Sequence, residues 1–152
     1  MKDNNNKIRT TLVPINTLIN AKPSARSAAD STEKNYIDML IAIDNINIEY
    51  EMVADTAAAI LTKFIVSLYD SKIGIELISD IATGYEYGVS KYYINSWKSV
   101  TPMDWVNALG RHLGLEIDFP GDIDDESGLA HSIHIMCNCM MILWNIENNV
   151  RF

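Results

Sequence analysis

The chain has little cysteine: two residues in 152, Cys137 and Cys139, one position apart. Two thiols so few and so close do not make a disulfide framework, and a reducing, cytoplasmic compartment is expected. Long apolar runs are missing too. No stretch reaches 18 uncharged apolar residues, so no membrane span and no membrane partner are expected. The opening MKDNNNKIRTT lacks an apolar h-region, so no secretory signal is expected. Neither an internal repeat nor a second domain is visible. Basic residues are scarce beyond the start. Residues 1–34 hold six Lys/Arg against three Asp/Glu, a net of +3, and residues 35–152 hold six against seventeen, a net of −11. An acidic body does not attract a nucleic-acid backbone, so nucleic acid is not an expected partner. The same acidity suits divalent ions that bridge carboxylates to phosphates, although a plain solvated surface has the same composition.

What the chain does have is apolar material, 48% of its residues, ample for one core. Residues 1–30 are polar and include KPSARSAAD. They read as an extended N-terminal arm, expected to pack on a partner subunit in a homo-oligomer. Residues 31–152 read as a single α-helical domain, a mainly α bundle of about four to five helices. In DSTE, Asp30 to Glu33 have the spacing of a capping box. Ile46, Ile48, Tyr50 and Met52 alternate as a strand would, which allows a short β pair in the N-terminal half. From Val53 the period becomes helical: Val53, Ala57, Ile60, Leu61, Phe64 and Leu68 share one face, and Asp70 to Gly74 end it. IELISDIATGYEYGVSKYYINSW reads as helix interrupted at Gly84 and Gly88. TPMDWVNALGRHLG has a cap at Thr101, a proline at the first helical position and a stop at Gly114. EIDFPGDIDDE is an acidic loop, after which Ser127 caps a last helix reaching about Asn148.

That last segment, DDESGLAHSIHIMCNCMMILWN, is apolar enough for a core helix yet carries two histidines and two asparagines. At about 100° per residue, His134, Asn138 and Asn145 project within about 60° of His131. Leu129, Ile133, Met136, Met140, Leu143 and Trp144 fall on the opposite side, while Ile135 and Ile142 flank the polar stripe. Buried polar groups need partners. Neighbouring helices can supply them, and so can a ligand cleft. A zinc site of His131, His134, Cys137 and Cys139 is excluded by direction, because four ligands spread over half a helix cannot meet one tetrahedral ion.

Three further elements stand with this stripe. GVSKYYINSWK contributes Gly88, Lys91, Tyr92 and Trp97. NALGRHLG contributes Arg111 and His112. DDESGLAHSIHIMCN contributes Asp124, Glu126, Ser127, Gly128, Leu129, His131, His134 and Asn138. In order and spacing they resemble the phage-encoded dATP/dGTP diphosphohydrolase family, distant relatives of the MazG-like all-α nucleotide pyrophosphohydrolases. The resemblance covers about residues 84 to 145, and its specific part is the ESGL-x-H-x-x-H-x-x-x-N block. The chain departs from the family in having Ser96 before the Trp, with Asn95 one place earlier. It also lacks the Gly-Lys-Pro-Arg-like lead-in, of which DSKIG is at best a remnant.

The resemblance implies hydrolysis of purine deoxynucleoside triphosphates, dATP or dGTP, to monophosphate and pyrophosphate, with Mg²⁺ or Mn²⁺ as cofactor. Asp124, Asp125 and Glu126 are then the candidate metal carboxylates. As helix-start residues they would equally complement a helix dipole. Glu76 and Glu86 are further candidates from another helix. Lys91 and Arg111 can meet phosphate oxygens. His112, His131, His134 and Glu126 are the candidate catalytic groups. Asn138 is a candidate orienting partner, and Tyr92 and Trp97 can stack on a purine or simply fill core. Two other classes of function stay open on the sequence. One is a catalytically silent phage protein that binds nucleotide or a partner protein, as a virion component or an inhibitor of host defence. The other is a helix-turn-helix reader built on GVSKYYINSW, which the acidic body opposes.

Overall fold

A computed structural model describes residues 7–91 and 100–152. Tyr92 and Trp97 therefore lie outside the described residues. The described chain is helical throughout. A 3-10 turn, Thr10–Leu12, precedes α1 (Ile15–Asn20), α2 (Ala25–Ala29), α3 (Thr32–Ile43), α4 (Tyr50–Tyr69), α5 (Ile75–Lys91), α6 (Pro102–Asp118) and α7 (His131–Glu147).

The mainly α class is as expected, and the β pair is not formed. Tyr50 and Met52 belong to the first turn of α4, and Ile46 is 98% exposed with no partner strand among the described residues. A period-2 pattern needs a strand beside it; here the start of a 20-residue helix takes up the last two of four alternating residues. The arm is also not extended. It folds into the 3-10 turn and two short helices and packs on its own bundle: Leu18 is buried, Thr17 Oγ1 donates to Glu147 Oε1 at 2.6 Å, and Arg9 pairs with Glu86. The cap of α3 is Ser31, whose side chain accepts from Lys34 N, one residue later than the capping-box reading places it.

α4 buries Val53, Ala57, Ile60 and Leu61 completely, while Leu68 near its end is half exposed. It stops at Asp70 and Ser71, both left-handed, with φ of 53° and 64°. By length and composition α4 is apolar enough to cross a membrane. Its apolar face, however, is covered by α3 and α7.

α7 is the centre of the bundle, packed against α4, α5 and α6. It is buried nearly all round, from Ile135 to Leu143 without interruption, as a helix apolar on every side must be. It starts at His131, with Ala130 as its cap, so Ser127 lies in the preceding loop rather than at the helix start. α5 runs unbroken through Gly84 and Gly88. Gly84 marks close approach to α7, since a Cβ there would lie 2.5 Å from Cys137 Sγ. The helix is also continuous from Gly88 to Lys91, where GVSKYYINSW suggested the start of a recognition helix, and the rest of that segment lies outside the described residues. α6 passes its expected stop at Gly114 and ends at Asp118. One exposed glycine costs a helix only about 1 kcal/mol, and the buried Leu113 beside it holds that turn to the bundle.

α3 and α6 meet at Gly110. A Cβ at that position would stand 2.8 Å from Tyr36 Cζ, and Tyr36 is held by its hydroxyl, which donates to Val106 O at 2.9 Å. A rigid ring cannot yield as a flexible chain end can. Gly110→Ala is therefore expected to destabilise the fold by about 1–3 kcal/mol despite its better helix propensity. Urea denaturation of the two proteins measures it.

Candidate functional site

The acidic loop between α6 and α7 is a shaped turn. Asp124 N donates to Leu129 O and Gly128 N donates to Asp124 O, both at 2.8 Å. The Asp124 carboxylate accepts from Ser127 N at 2.8 Å, and Ser127 Oγ accepts from Leu129 N at 3.1 Å. Gly128 sits at φ 74°, a conformation that disfavours any residue with a Cβ. The D-x-E-S-G-L string thus encodes backbone geometry as well as side chains. It delivers Asp124, Glu126 and Ser127 to the N-terminal end of α7.

Three imidazoles gather there. His112 of α6 places Nδ1 2.8 Å from Nδ1 of His131 and stacks on His134, with ring centroids 4.6 Å apart. His134 Nε2 lies 2.6 Å from Ser127 Oγ and 3.8 Å from Asp124 Oδ2. Ser127 Oγ accepts from Leu129 N and contacts both His134 Nε2 and the Asp124 carboxylate, so the direction of the bond to His134 follows the imidazole tautomer. Ser127, His134 and Asp124 are not a nucleophile-base-acid relay: the carboxylate stands beside the same ring nitrogen as the hydroxyl, not the opposite one. Burial, together with the neighbouring imidazoles, depresses His112 to about 4, and burial lowers His134 as well. Both rings are neutral at pH 7.

A cleft of about 250 Å³ opens on this cluster between α5, α6, α7 and the loop. Lys91, Arg111, His112, Asp124, Glu126, His134 and Asn138 line it. At its rim Glu126 Oε1 accepts from Lys91 Nζ at 2.8 Å and from the Tyr87 hydroxyl at 2.6 Å. Those two donors hold the Glu126 carboxyl below its ordinary range, Lys91 the more strongly. Deeper in, Asn138 Nδ2 and Trp105 Nε1 are buried donors without a partner among the described residues. Unsatisfied buried donors are costly, about 1–3 kcal/mol each, and both belong to residues that line the cleft.

The structure brings together eight of the sequence candidates: Lys91, Arg111, His112, Asp124, Glu126, His131, His134 and Asn138. Of these, His131 is buried at 2% exposure behind His112 and does not line the cleft. Asp125 is exposed on the loop. Glu86 is engaged with Arg9 and Glu76 is exposed at the start of α5; neither lines the cleft. Cys137 faces α5, where its thiol meets Ile81 O at 3.5 Å. The sequence reading missed Tyr87, Trp105 and the side-chain role of Ser127. Helical spacing carried the signal for two of them. Tyr87 is one turn before Lys91, and Trp105 is two turns before His112.

The family model for dATP/dGTP diphosphohydrolase, N-terminal, matches residues 68–152. A dATP/dGTP diphosphohydrolase of Salmonella phage PMBT28 is 31% identical over 78 residues, covering 51% of this chain and 27% of that protein. The match thus spans about a quarter of the relative's length. No solved structure matches the chain. Every cleft-lining residue, from Gly84 to Met141, falls inside the span of the family model. With more than half of its length matched, the chain belongs to the dATP/dGTP diphosphohydrolase, N-terminal, family.

Proposed function

We propose that this chain hydrolyses purine deoxynucleoside triphosphates, dATP or dGTP, to monophosphate and pyrophosphate with the help of a divalent cation, Mg²⁺ or Mn²⁺. The observation that carries the reading is the cleft itself. It sets two cations, two carboxylates and two neutral imidazoles around one space, with unpartnered N–H donors behind them. A triphosphate needs cationic donors for its oxygens, and Lys91 and Arg111 supply them. A nucleoside offers hydrogen-bond acceptors, which suit Asn138 Nδ2 and Trp105 Nε1. His134, neutral and oriented by Ser127, is the group placed to exchange a proton with water or with a phosphate oxygen. Glu126 positions Lys91 and Tyr87 at the rim.

Of the carboxylates Asp124, Asp125 and Glu126, Asp125 is exposed on the loop and Glu126 is bound to Lys91 and Tyr87, so Asp124 is the one that faces the imidazoles. Among the described residues the donor group that converges is His112, Asp124 and His131, with ligand atoms all within 4.8 Å of one another. A bound cation would neutralise phosphate charge and acidify a water.

A panel of the eight common ribo- and deoxynucleoside triphosphates tests the reading. Turnover of dATP or dGTP in the presence of Mg²⁺ or Mn²⁺, and its loss with EDTA, is the expected result. Binding of a purine deoxynucleotide with no turnover of any of the eight would support a catalytically silent nucleotide binder instead.

A further inference from the structure

The donor chemistry of the converging group differs from what Mg²⁺ selects. Mg²⁺ takes oxygen ligands in octahedral geometry and keeps several waters. Two imidazoles with one carboxylate are ligands for a first-row transition ion. From this we infer that His112, Asp124 and His131 form a two-histidine, one-carboxylate cation site selective for a transition ion such as Mn²⁺, Co²⁺ or Zn²⁺ over Mg²⁺. The inference deepens the proposed function by naming its cation and its ligands.

Three observations support it. The first is convergence. Donors about 2.1 Å from an ion are about 3 Å apart when adjacent and about 4.2 Å apart when opposite. A group within 4.8 Å therefore closes on an ion with side-chain shifts of about half an ångström. The second is the shape of the His112–His131 contact, in which the two Nδ1 atoms point at each other at 2.8 Å. Two neutral rings meeting through the same nitrogen leave one of them in the less common tautomer, whereas an ion to one side, with the two nitrogens as adjacent ligands about 3 Å apart, uses both lone pairs. The third lies behind the site. The other nitrogen of His131, Nε2, faces the Asp122 carboxylate at 3.8 Å, and His131 N donates to Asp122 O. A carboxylate on the far-nitrogen side is where a partner that orients a liganding histidine stands. His131 itself is fully desolvated within the bundle, so its orientation is set by packing rather than by water.

The test uses the full chain without nucleotide or phosphate. Titration calorimetry with MnCl₂, CoCl₂ and MgCl₂ reads affinity and stoichiometry, and the visible spectrum of the Co²⁺ form reads the ligands. One Co²⁺ or Mn²⁺ per chain is expected, with Mg²⁺ at least about tenfold weaker. Asp124→Asn and His112→Gln should each weaken Co²⁺ binding by about 10- to 100-fold or more, with circular dichroism unchanged. Both are used because neither residue is as buried as His131, whose replacement risks the fold. Absence of saturable Mn²⁺ or Co²⁺ binding would overturn the site, and so would binding unaffected by both variants. The histidine pair would then be only a hydrogen bond. A chain that binds Co²⁺ through these residues but turns over no nucleotide keeps the site and removes the activity. A chain that hydrolyses dATP or dGTP with Mg²⁺ and has no histidine-dependent ion keeps the activity and removes the site.

Discussion

His134→Asn is expected to lower kcat for dATP or dGTP about 10²- to 10⁴-fold while leaving the thermal transition nearly in place. Of the three imidazoles, only His112 and His134 line the cleft, and His112 is committed to His131. His134 spends one nitrogen on Ser127 and stacks between His112 and the edge of Tyr87. That arrangement fixes the ring without consuming it. Asparagine keeps a hydrogen-bonding group near Ser127 but cannot exchange a proton near neutral pH. The KM should change far less than kcat, because the role argued is in the reaction and not in holding the substrate. A loss confined to KM, or near wild-type turnover, would return His134 to a packing role.

Arg111→Ala should act on the other parameter. Arg111 is exposed, lines the cleft and has no carboxylate partner among the described residues. A guanidinium with no internal partner is available for phosphate oxygens, and a charge-assisted hydrogen bond is worth about 1.5–3 kcal/mol. The expected result is a rise in KM of about 10- to 100-fold. Arg111→Lys should recover only part of it, since an ammonium cannot make the bidentate contact. Steady-state kinetics on the three proteins measure the series. An unchanged KM in Arg111→Ala would move phosphate binding elsewhere, with Lys91 as the remaining cation of the cleft.

The stripe on the last helix shows how far the sequence could be read. Angular arithmetic places His131, His134 and Asn138 on one stripe; His134 and Asn138 line the cleft, and His131 lies behind His112. It could not separate a buried ligand position from a cleft wall. That difference depends on where α6 crosses, which puts His112 between His131 and the opening. As a consequence, His131→Ala should cost stability as well as activity, because a 2% exposed ring leaves a cavity. Trp144, on the apolar side by the pattern, is only half buried. The anchors are Ile135, Met136, Met140 and Ile142, all fully buried on a helix with no free side. Burial all round also explains Asn145, whose Nδ2 donates to Met141 O within its own helix.

The start of α7 lies three residues beyond the place a Ser127 cap gives it, for a related reason. Ser127 has the composition of a cap, but the positive φ of Gly128 turns the chain away before the helix begins. A serine freed from capping is what reaches His134. The arm shows the opposite limit: its polar composition suggested extension, and only tertiary contacts such as Leu18 in the core and Thr17 on Glu147 reveal why it folds. Long periodic helices such as α4 and α6 were legible because their apolar spacing agrees with the packing, although α4 begins earlier and α6 ends later than the local signals place them.

The central claim is that the cleft cuts between the α- and β-phosphates of a purine deoxynucleoside triphosphate. Phosphorus NMR of the products from dGTP and from dATP, in the presence of a divalent cation, tests it most directly. Monophosphate and pyrophosphate in equal amounts are the expected result. Diphosphate with inorganic phosphate would contradict it.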